Sequence, residues 1–411
     1  MRRKSFWLHL LVLLACCIAG RPAAAQAEEA QRQVLVMLQL PKAHYRPDGS
    51  YAGNYGAGVG RQSRQQVAQD LARRHGLEMR SEWPMPLAGV DCFVMRLPED
   101  DRRTSADAAR AVAEDSRVAW AQPVGLYQAH QTPSSAQEPL YAAQPAAQQW
   151  RLAELHKLAT GRGVRVAVVD SGVEASHPDL AGQIAFNQNF VDDRPPPAEG
   201  HGTAVAGIIA ARADNGVGIA GIAPQARLLA LRACWQTSRA DGGQTLCTSL
   251  GLAKALYAAM EQRADIINMS LGGPDDRLLG LLLDQAQARG ASVVAAQPSS
   301  GGPFPANHPG VLVVGSGPPL PSGALIAPGR DVPSTMPGGG WGLVTGSSFS
   351  AAHAAGLLAL MRELGGSRAG GALLKTAFVT VGQDRIDSCA TLARHAGAGS
   401  PICTRLGQTG D

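Results

Sequence analysis

The chain has 411 residues, of which 45% are hydrophobic and 17% charged, and its 37 Lys and Arg against 33 Asp and Glu leave a formal net charge of +4. That length favours two domains, and the thinly spread charge forms no basic stripe, which argues against a nucleic-acid partner. Beyond the N-terminus no run is long and apolar enough to cross a bilayer.

The N-terminus carries the first signal. Met1-Arg2-Arg3-Lys4 is basic, residues 6–18 are apolar, and Ala23-Ala24-Ala25 ends in a small-x-small pattern before Gln26. Residues 1–25 therefore read as a secretory signal peptide, too short to span a membrane stably. Within it, Leu13-Leu14-Ala15-Cys16 resembles a bacterial lipobox, which would lipidate Cys16 and hold the protein to a membrane. Otherwise Cys16 and Cys17 are apolar filler and the protein is secreted or periplasmic.

Residues 33–127 read as one small unit: strand 34–40, helix 64–75 with Val67 and Leu71 one turn apart, strand 77–83, a turn-rich connection over 84–89, strand 90–97, helix 105–115 opened by the capping residue Ser105, and strand 118–122. This is the split βαβ order of a ferredoxin-like α+β sandwich. Residues 41–61 have no periodicity and read as a loop inserted after the first strand. Residues 128–138, rich in Gln, Ser, Thr, Pro and Ala, cannot bury enough apolar surface to fold and read as a linker and processing region.

From residue 139 to 411 short apolar runs alternate with helical segments: 166–169, 201–213, 227–232, 249–263, 266–269, 278–289, 292–296, 311–314 and 348–364. Strands buried on both faces and separated by helices predict an α/β, doubly wound parallel sheet, with its chemistry at the carboxyl ends of the strands. Cys234 with Cys247 and Cys389 with Cys403 would each close a short loop in an oxidising compartment, although other pairings stay open. Cys92 lies in an apolar run and reads as a buried free thiol. No metal site is expected, because no Cys-x-x-Cys or His-x-x-x-His spacing occurs.

Three segments carry the candidate chemistry. Asp170 stands in Val168-Val169-Asp170-Ser171-Gly172, His201 opens His201-Gly202-Thr203-Ala204-Val205-Ala206-Gly207, and Ser348 lies in Gly346-Ser347-Ser348-Phe349-Ser350. An Asp that orients a His, which deprotonates a Ser, is the minimal apparatus for attacking a carbonyl carbon. These segments, with Ser176-His177-Pro178-Asp179-Leu180, the stretch Asn215-Gly216-Val217-Gly218-Ile219-Ala220-Gly221-Ile222-Ala223-Pro224 and the stretch Ile266-Ile267-Asn268-Met269-Ser270-Leu271-Gly272-Gly273, resemble the signatures of the subtilase family in order. The resemblance covers roughly residues 140–365.

It implies a subtilisin-like catalytic domain with Ser348 as nucleophile, His201 as general base and Asp170 as the group that fixes the imidazole. Asn268 reads as a buried, satisfied amide. Ser270, Leu271, Gly272 and Gly273 would form an open strand that pairs with an extended peptide, with Gly242 to Thr245 as the opposite edge. The unit at 33–127 resembles the inhibitory propeptide of many subtilases, which would make the chain's own propeptide an intramolecular inhibitor.

The chain departs from the family pattern at two places. Ala352 stands where the nucleophile signature has proline, and the family's Ala-Ala-Gly-Asn stretch aligns with Ala296-Gln297-Pro298-Ser299, so the asparagine that steadies the oxyanion is missing. Losing such a donor lowers turnover by about 10²- to 10³-fold, and Ser299 or Gln297 is the candidate replacement. The leading expectation is an exported subtilisin-like serine endopeptidase made as a zymogen, acting on polypeptides through an acyl-enzyme. The rival is a degenerate subtilase that binds a peptide or partner without efficient cleavage, and a general esterase would use the same apparatus. No cofactor is required; calcium stays open, with Asp192 and Asp193 beside a proline run reading as solvated loop charges.

Overall fold

The computed structural model describes residues 23–40, 55–129, 141–237, 243–298, 302–365 and 373–396. Most of the expected signal peptide, with Cys16, therefore lies outside the described residues, as do residues 41–54, 130–140 and Cys403. The N-terminal elements are α1 (Ala23–Gln31), β1 (Gln33–Gln39), α2 (Tyr55–His75), β2 (Glu78–Met85), β3 (Val90–Arg96), α3 (Ser105–Ala113) and β4 (Val118–Pro123). Their strands form an antiparallel sheet in the order β2-β3-β1-β4, the arrangement expected of a ferredoxin-like sandwich.

Two boundaries differ from expectation. Helix α2 begins at Tyr55, inside the stretch expected to be loop; Gly56, Gly58 and Gly60 are poor helix formers and hide its first turns. The cap of α3 is Thr104, not Ser105: the Thr104 hydroxyl accepts from Asp107 N at 3.1 Å while the Asp107 carboxylate accepts from Thr104 N at 3.4 Å, a reciprocal box that Ser105 has no partner to make.

The chain continues through β5 (Leu126–Ala129), α4 (Pro145–Gln149), α5 (Leu152–His156), β6 (Arg165–Asp170), β7 (Ile184–Asn189), α6 (Gly200–Ala210), β8 (Arg227–Arg232), β9 (Cys234–Gln236), β10 (Thr245–Thr248) and α7 (Ser249–Glu261). Then follow β11 (Ile266–Met269), β12 (Leu271–Gly272), α8 (Arg277–Ala288), β13 (Ser292–Ala296), β14 (Leu312–Gly315), β15 (Leu325–Ile326), the hairpin of β16 (Val332–Met336) and β17 (Gly340–Val344), and α9 (Ser347–Glu363). The last described elements are α10 (Leu373–Thr376), β18 (Thr380–Val381), β19 (Arg385–Ile386) and α11 (Ser388–Ala396). A nine-stranded sheet, ordered β18-β19-β15-β14-β13-β11-β6-β8-β7, is parallel except for the edge strand β18, which runs antiparallel to β19. Helices α6 and α9 cross one side of it and bury nearly every residue, which is why their sequences are apolar or small all round.

The unbroken run Val34-Leu35-Val36-Met37-Leu38 follows from two buried faces. Val34, Val36 and Leu38 pack with Leu71 and Val112 of α2 and α3, whereas Leu35 and Met37, with Cys92 and Val94, share a core with Leu252 and Leu256 of α7 and Leu279 of α8. Each such side chain contributes about 2 kcal/mol of burial, and a sheet with a wet face would have alternated instead. Trp83 meets Tyr257 edge-to-face at 5.6 Å, and the Arg277 guanidinium lies 4.6 Å over the Trp120 ring. The two parts of the chain are thus joined through apolar surface.

Cys234 and Cys247 are disulfide-bonded, tying β9 to β10. Cys389 is also disulfide-bonded. Cys92 is a free thiol, and burial pushes it up to about 12.

Candidate active site

The apolar run of β6 ends at Asp170, between β8 and β11, where successive strands are added to opposite sides of the sheet. Such a switch point opens a crevice at the carboxyl ends of the strands. Asp170 Oδ1 accepts from His201 Nδ1 at 2.7 Å and from Ser171 N at 2.6 Å. Because a carboxylate only accepts, the ring proton sits on Nδ1 and leaves Nε2 as the basic nitrogen. His201 stands in the first turn of α6, and the next residue allows this helix to touch the Asp170 loop: a Cβ on Gly202 would lie 2.2 Å from Ser171 O. Gly202 N donates to Ser171 Oγ at 3.0 Å. The His201 ring rests against Phe349, centroids 5.5 Å apart.

Ser348 lies in the first turn of α9, where the helix dipole favours negative charge. Its Oγ donates to Ser270 O at 3.1 Å, while Ser270 Oγ donates to Ser348 O at 2.9 Å. His201 Nε2 has no hydrogen-bond partner among the described residues, so the Ser348 hydroxyl is not bonded to the imidazole here. Asp170, His201 and Ser348 are each at most 1% exposed. Asn268 Nδ2 donates to Ser270 Oγ at 2.9 Å, but its Oδ1 is buried without a partner among the described residues, so the amide is satisfied on one side only.

Next to the Ser270–Ser348 contact lies β5. It runs antiparallel between β12 and β10 in a sheet ordered β12-β5-β10-β9, with Ala129 opposite both Leu271 and Thr245, and Gln128 opposite both Gly272 and Leu246. The expected linker therefore starts later than residue 128: Gln128 and Ala129 are strand, because two flanking backbone edges impose one on a sequence with no hydrophobic pattern. The second edge is Thr245–Thr248, further along than the 242–245 stretch expected from sequence. Of the predicted edge residues, Leu271 and Gly272 pair with β5, Ser270 holds Ser348, and Gly273 bonds both ways to Phe304, at 2.9 and 3.1 Å.

Tyr127, fully buried beside Gly273 and edge-on to Phe304 at 6.1 Å, is the residue sequence reasoning missed. Its signal was slight: one aromatic in the last apolar dipeptide before a polar stretch. Phe349, inside the Ser348 motif, carried no separate signal.

The oxyanion candidates fare differently. Ser299 lies outside the described residues. Gln297 is corrected: its Nε2 donates to Pro319 O at 2.5 Å, its Oε1 sits over Gly315, and its backbone carbonyl accepts from Ser347 Oγ at 2.8 Å. The side chain is committed to the loop after β14 and is not aimed at Ser348. Asp192 accepts from Arg194 at 2.6 Å and Asn189 at 2.8 Å, and the guanidinium holds its carboxyl below the usual range. Among the described residues no cluster of metal-ligating side chains occurs.

A sequence model described as the Subtilase family matches residues 161–318. The chain is 37% identical over 229 residues to an intracellular serine protease of Paenibacillus polymyxa, covering 50% of this chain and 68% of that protein. It is 34% identical over 238 residues to thermitase of Thermoactinomyces vulgaris, covering 54% and 81%. Among solved structures, fervidolysin of Fervidobacterium pennivorans, a keratinolytic enzyme related to subtilisin, superposes with a TM-score of 0.65 at 21% identity, covering 88% of this chain and 61% of that one.

Proposed function

Because the chain belongs to the subtilase family and is a serine-type endopeptidase, we propose that it is exported as a zymogen whose N-terminal unit inhibits the cleft until it is cut away. Ser348 is the nucleophile, His201 the general base and later acid, and Asp170 the group that orients the imidazole and balances its charge. A turn of the Ser348 side chain away from Ser270 O brings its proton to His201 Nε2. Attack on the scissile carbonyl then gives an acyl-enzyme, the proton passing to the leaving amine, and water completes hydrolysis by the same route in reverse. Peptide substrates add as a strand between β10 and β12.

The observation that carries the zymogen reading is β5, which occupies that same groove by backbone pairing on both sides. Export is supported by the basic and apolar N-terminal pattern and by the Cys234–Cys247 disulfide, a bond that persists in oxidising compartments. The degenerate-binder reading is kept alive by one observation: the family's oxyanion asparagine is missing and Gln297 is turned away. A fluorophosphonate probe separates the two. Labelling of Ser348 that appears only after the N-terminal unit has been cut off supports the zymogen protease, whereas a cut, folded protein that never labels supports the binder.

A further inference from the structure

Beside the Asp170–His201 pair lies a buried ion pair that the triad does not use. Arg232 ends β8 directly opposite Asp170, and the next residue, Ala233, donates its N–H to Asp170 O at 2.9 Å. The Arg232 side chain is 5% exposed and that of Glu199 is 11% exposed. Arg232 Nε and Nη2 grip the two oxygens of Glu199 at 2.8 and 2.9 Å, and Nη1 donates to Asn189 Oδ1 at 3.0 Å.

Glu199 is the N-cap residue of α6, two positions before His201, yet its carboxylate does not cap its own helix. It reaches instead to Gly172 N at 2.6 Å, two positions after Asp170, and to Gln236 N at 3.0 Å. The backbone adds Glu199 N to Gly172 O at 3.0 Å, and the Gln236 side chain accepts from Gly200 N at 2.9 Å. The carboxylate is therefore saturated with donors, one charge-assisted fork among them.

We propose that Glu199 and Arg232 are a positioning pair for the general base, resting on the assignment of Asp170 and His201 above. The pair clamps the segment after Asp170 to the helix start that carries His201, and it presents the imidazole with one negative and one positive charge that offset each other. Asp170 from β6 is bonded to His201; Glu199 stands two residues before it at the start of the same helix, and Arg232 ends β8 opposite Asp170, while Asp192, in the loop after β7, is 3.9 Å from Arg232 and is held by Arg194. Helix α9 contributes the uncharged Phe349 ring.

The test is kcat and KM against pH for the protein expressed as the full chain and then matured, carrying Glu199→Gln, Arg232→Met, or both, with Ser348→Ala, cut by an added protease, alongside. Each single variant is expected to lower kcat about tenfold or more with KM little changed, as a small displacement of a catalytic group does. The acid limb of kcat/KM should move in opposite directions, by about half a pH unit: down in Glu199→Gln, where the cation is left uncompensated and disfavours the imidazolium, and up in Arg232→Met, where the anion is left. The double variant should return the limb to its wild-type position. If the singles do not accumulate as folded protein, Arg232→Lys decides, since it keeps the charge and loses the fork: a wild-type limb with reduced kcat supports the pair, and wild-type kcat overturns it. Limbs that stay fixed, or shift the same way in both singles, overturn it as well. Retained hydrolysis in Ser348→Ala would sink the triad assignment itself, which separates that failure from failure of the pair.

Discussion

Gly273 leaves the space that Tyr127 fills: a Cβ there would stand 1.9 Å from Tyr127 Cδ1. The ring is thereby pressed against the strand edge and seals the end of β5 nearest the N-terminal unit. Truncating a fully buried aromatic costs about 3 to 5 kcal/mol, so Tyr127→Ala should weaken occupation of the groove by ~10²-fold or more. Uncut Tyr127→Ala precursor should label with a fluorophosphonate while uncut wild type does not. Equal labelling rates would show that β5 does not gate Ser348.

Cutting is expected between Ala129 and Glu138, where the ordered strand gives way to a polar stretch. Wild-type protein should acquire a new N-terminus in that interval, read by Edman or mass-spectrometric sequencing, and Ser348→Ala should stay joined. A Ser348→Ala protein cut at the same bond in a protease-free preparation would remove self-processing from the account.

The committed Gln297 amide turns an expected loss into an expected indifference. Gln297→Ala should leave kcat within about twofold, whereas Ser299→Asn should raise it, by as much as ~10²-fold if the new amide reaches the tetrahedral oxygen. A collapse of kcat in Gln297→Ala, with the fold intact by circular dichroism, would mean that the side chain swings back to the cleft during turnover.

Much of this was legible in the sequence, and what was not has physical causes. Asp170 could be placed because a four-residue apolar run ending in an acid is what a buried parallel strand looks like at its carboxyl end. The order of the N-terminal sheet followed from alternating strand and helix patterns. Residues 128 and 129 could not be read as strand, since their pairing comes wholly from the edges of β10 and β12 and leaves no mark in side-chain hydrophobicity. Glu199 and Arg232 were equally silent: thirty-three residues separate them, and neither belongs to a spacing that implies the other.

His353 gives the fold a pH dependence of definite sign. It is buried in α9, donates from Nδ1 to Phe349 O at 2.7 Å and meets Trp150 edge-to-face, and burial pulls it down from 6.5 to about 4. Below 6.5 the unfolded chain binds a proton that the folded protein refuses until about 4, so stability present above 6.5 is lost as pH falls through that window, by about 3 kcal/mol at its lower end. Urea unfolding of the Ser348→Ala protein at pH 7, 5.5 and 4.5 should show this decline, and His353→Leu should flatten it. Identical slopes in both would refute the assignment.

The Cys234–Cys247 bond holds β10, one wall of the groove, to β9, which continues from the strand beside Asp170. Replacing both by serine removes a crosslink of sequence separation 13, a loss of about 3 kcal/mol. The thermal midpoint should fall, and KM for a peptide should rise more than kcat falls, because the disturbed element is the pairing edge. An unchanged KM would mean that the wall is held without the crosslink.

The face of the N-terminal sheet that carries Leu35, Met37, Cys92 and Val94 is apolar at its centre, and these side chains are covered only while the two halves of the chain stay together. Once severed and displaced, that fragment would be a sticky, poorly soluble body, prone to clump or to be digested by the protein it has just left. Its departure would act as a ratchet: rebinding would have to compete with the fragment's own destruction, so the passage from covered to open groove would run in one direction.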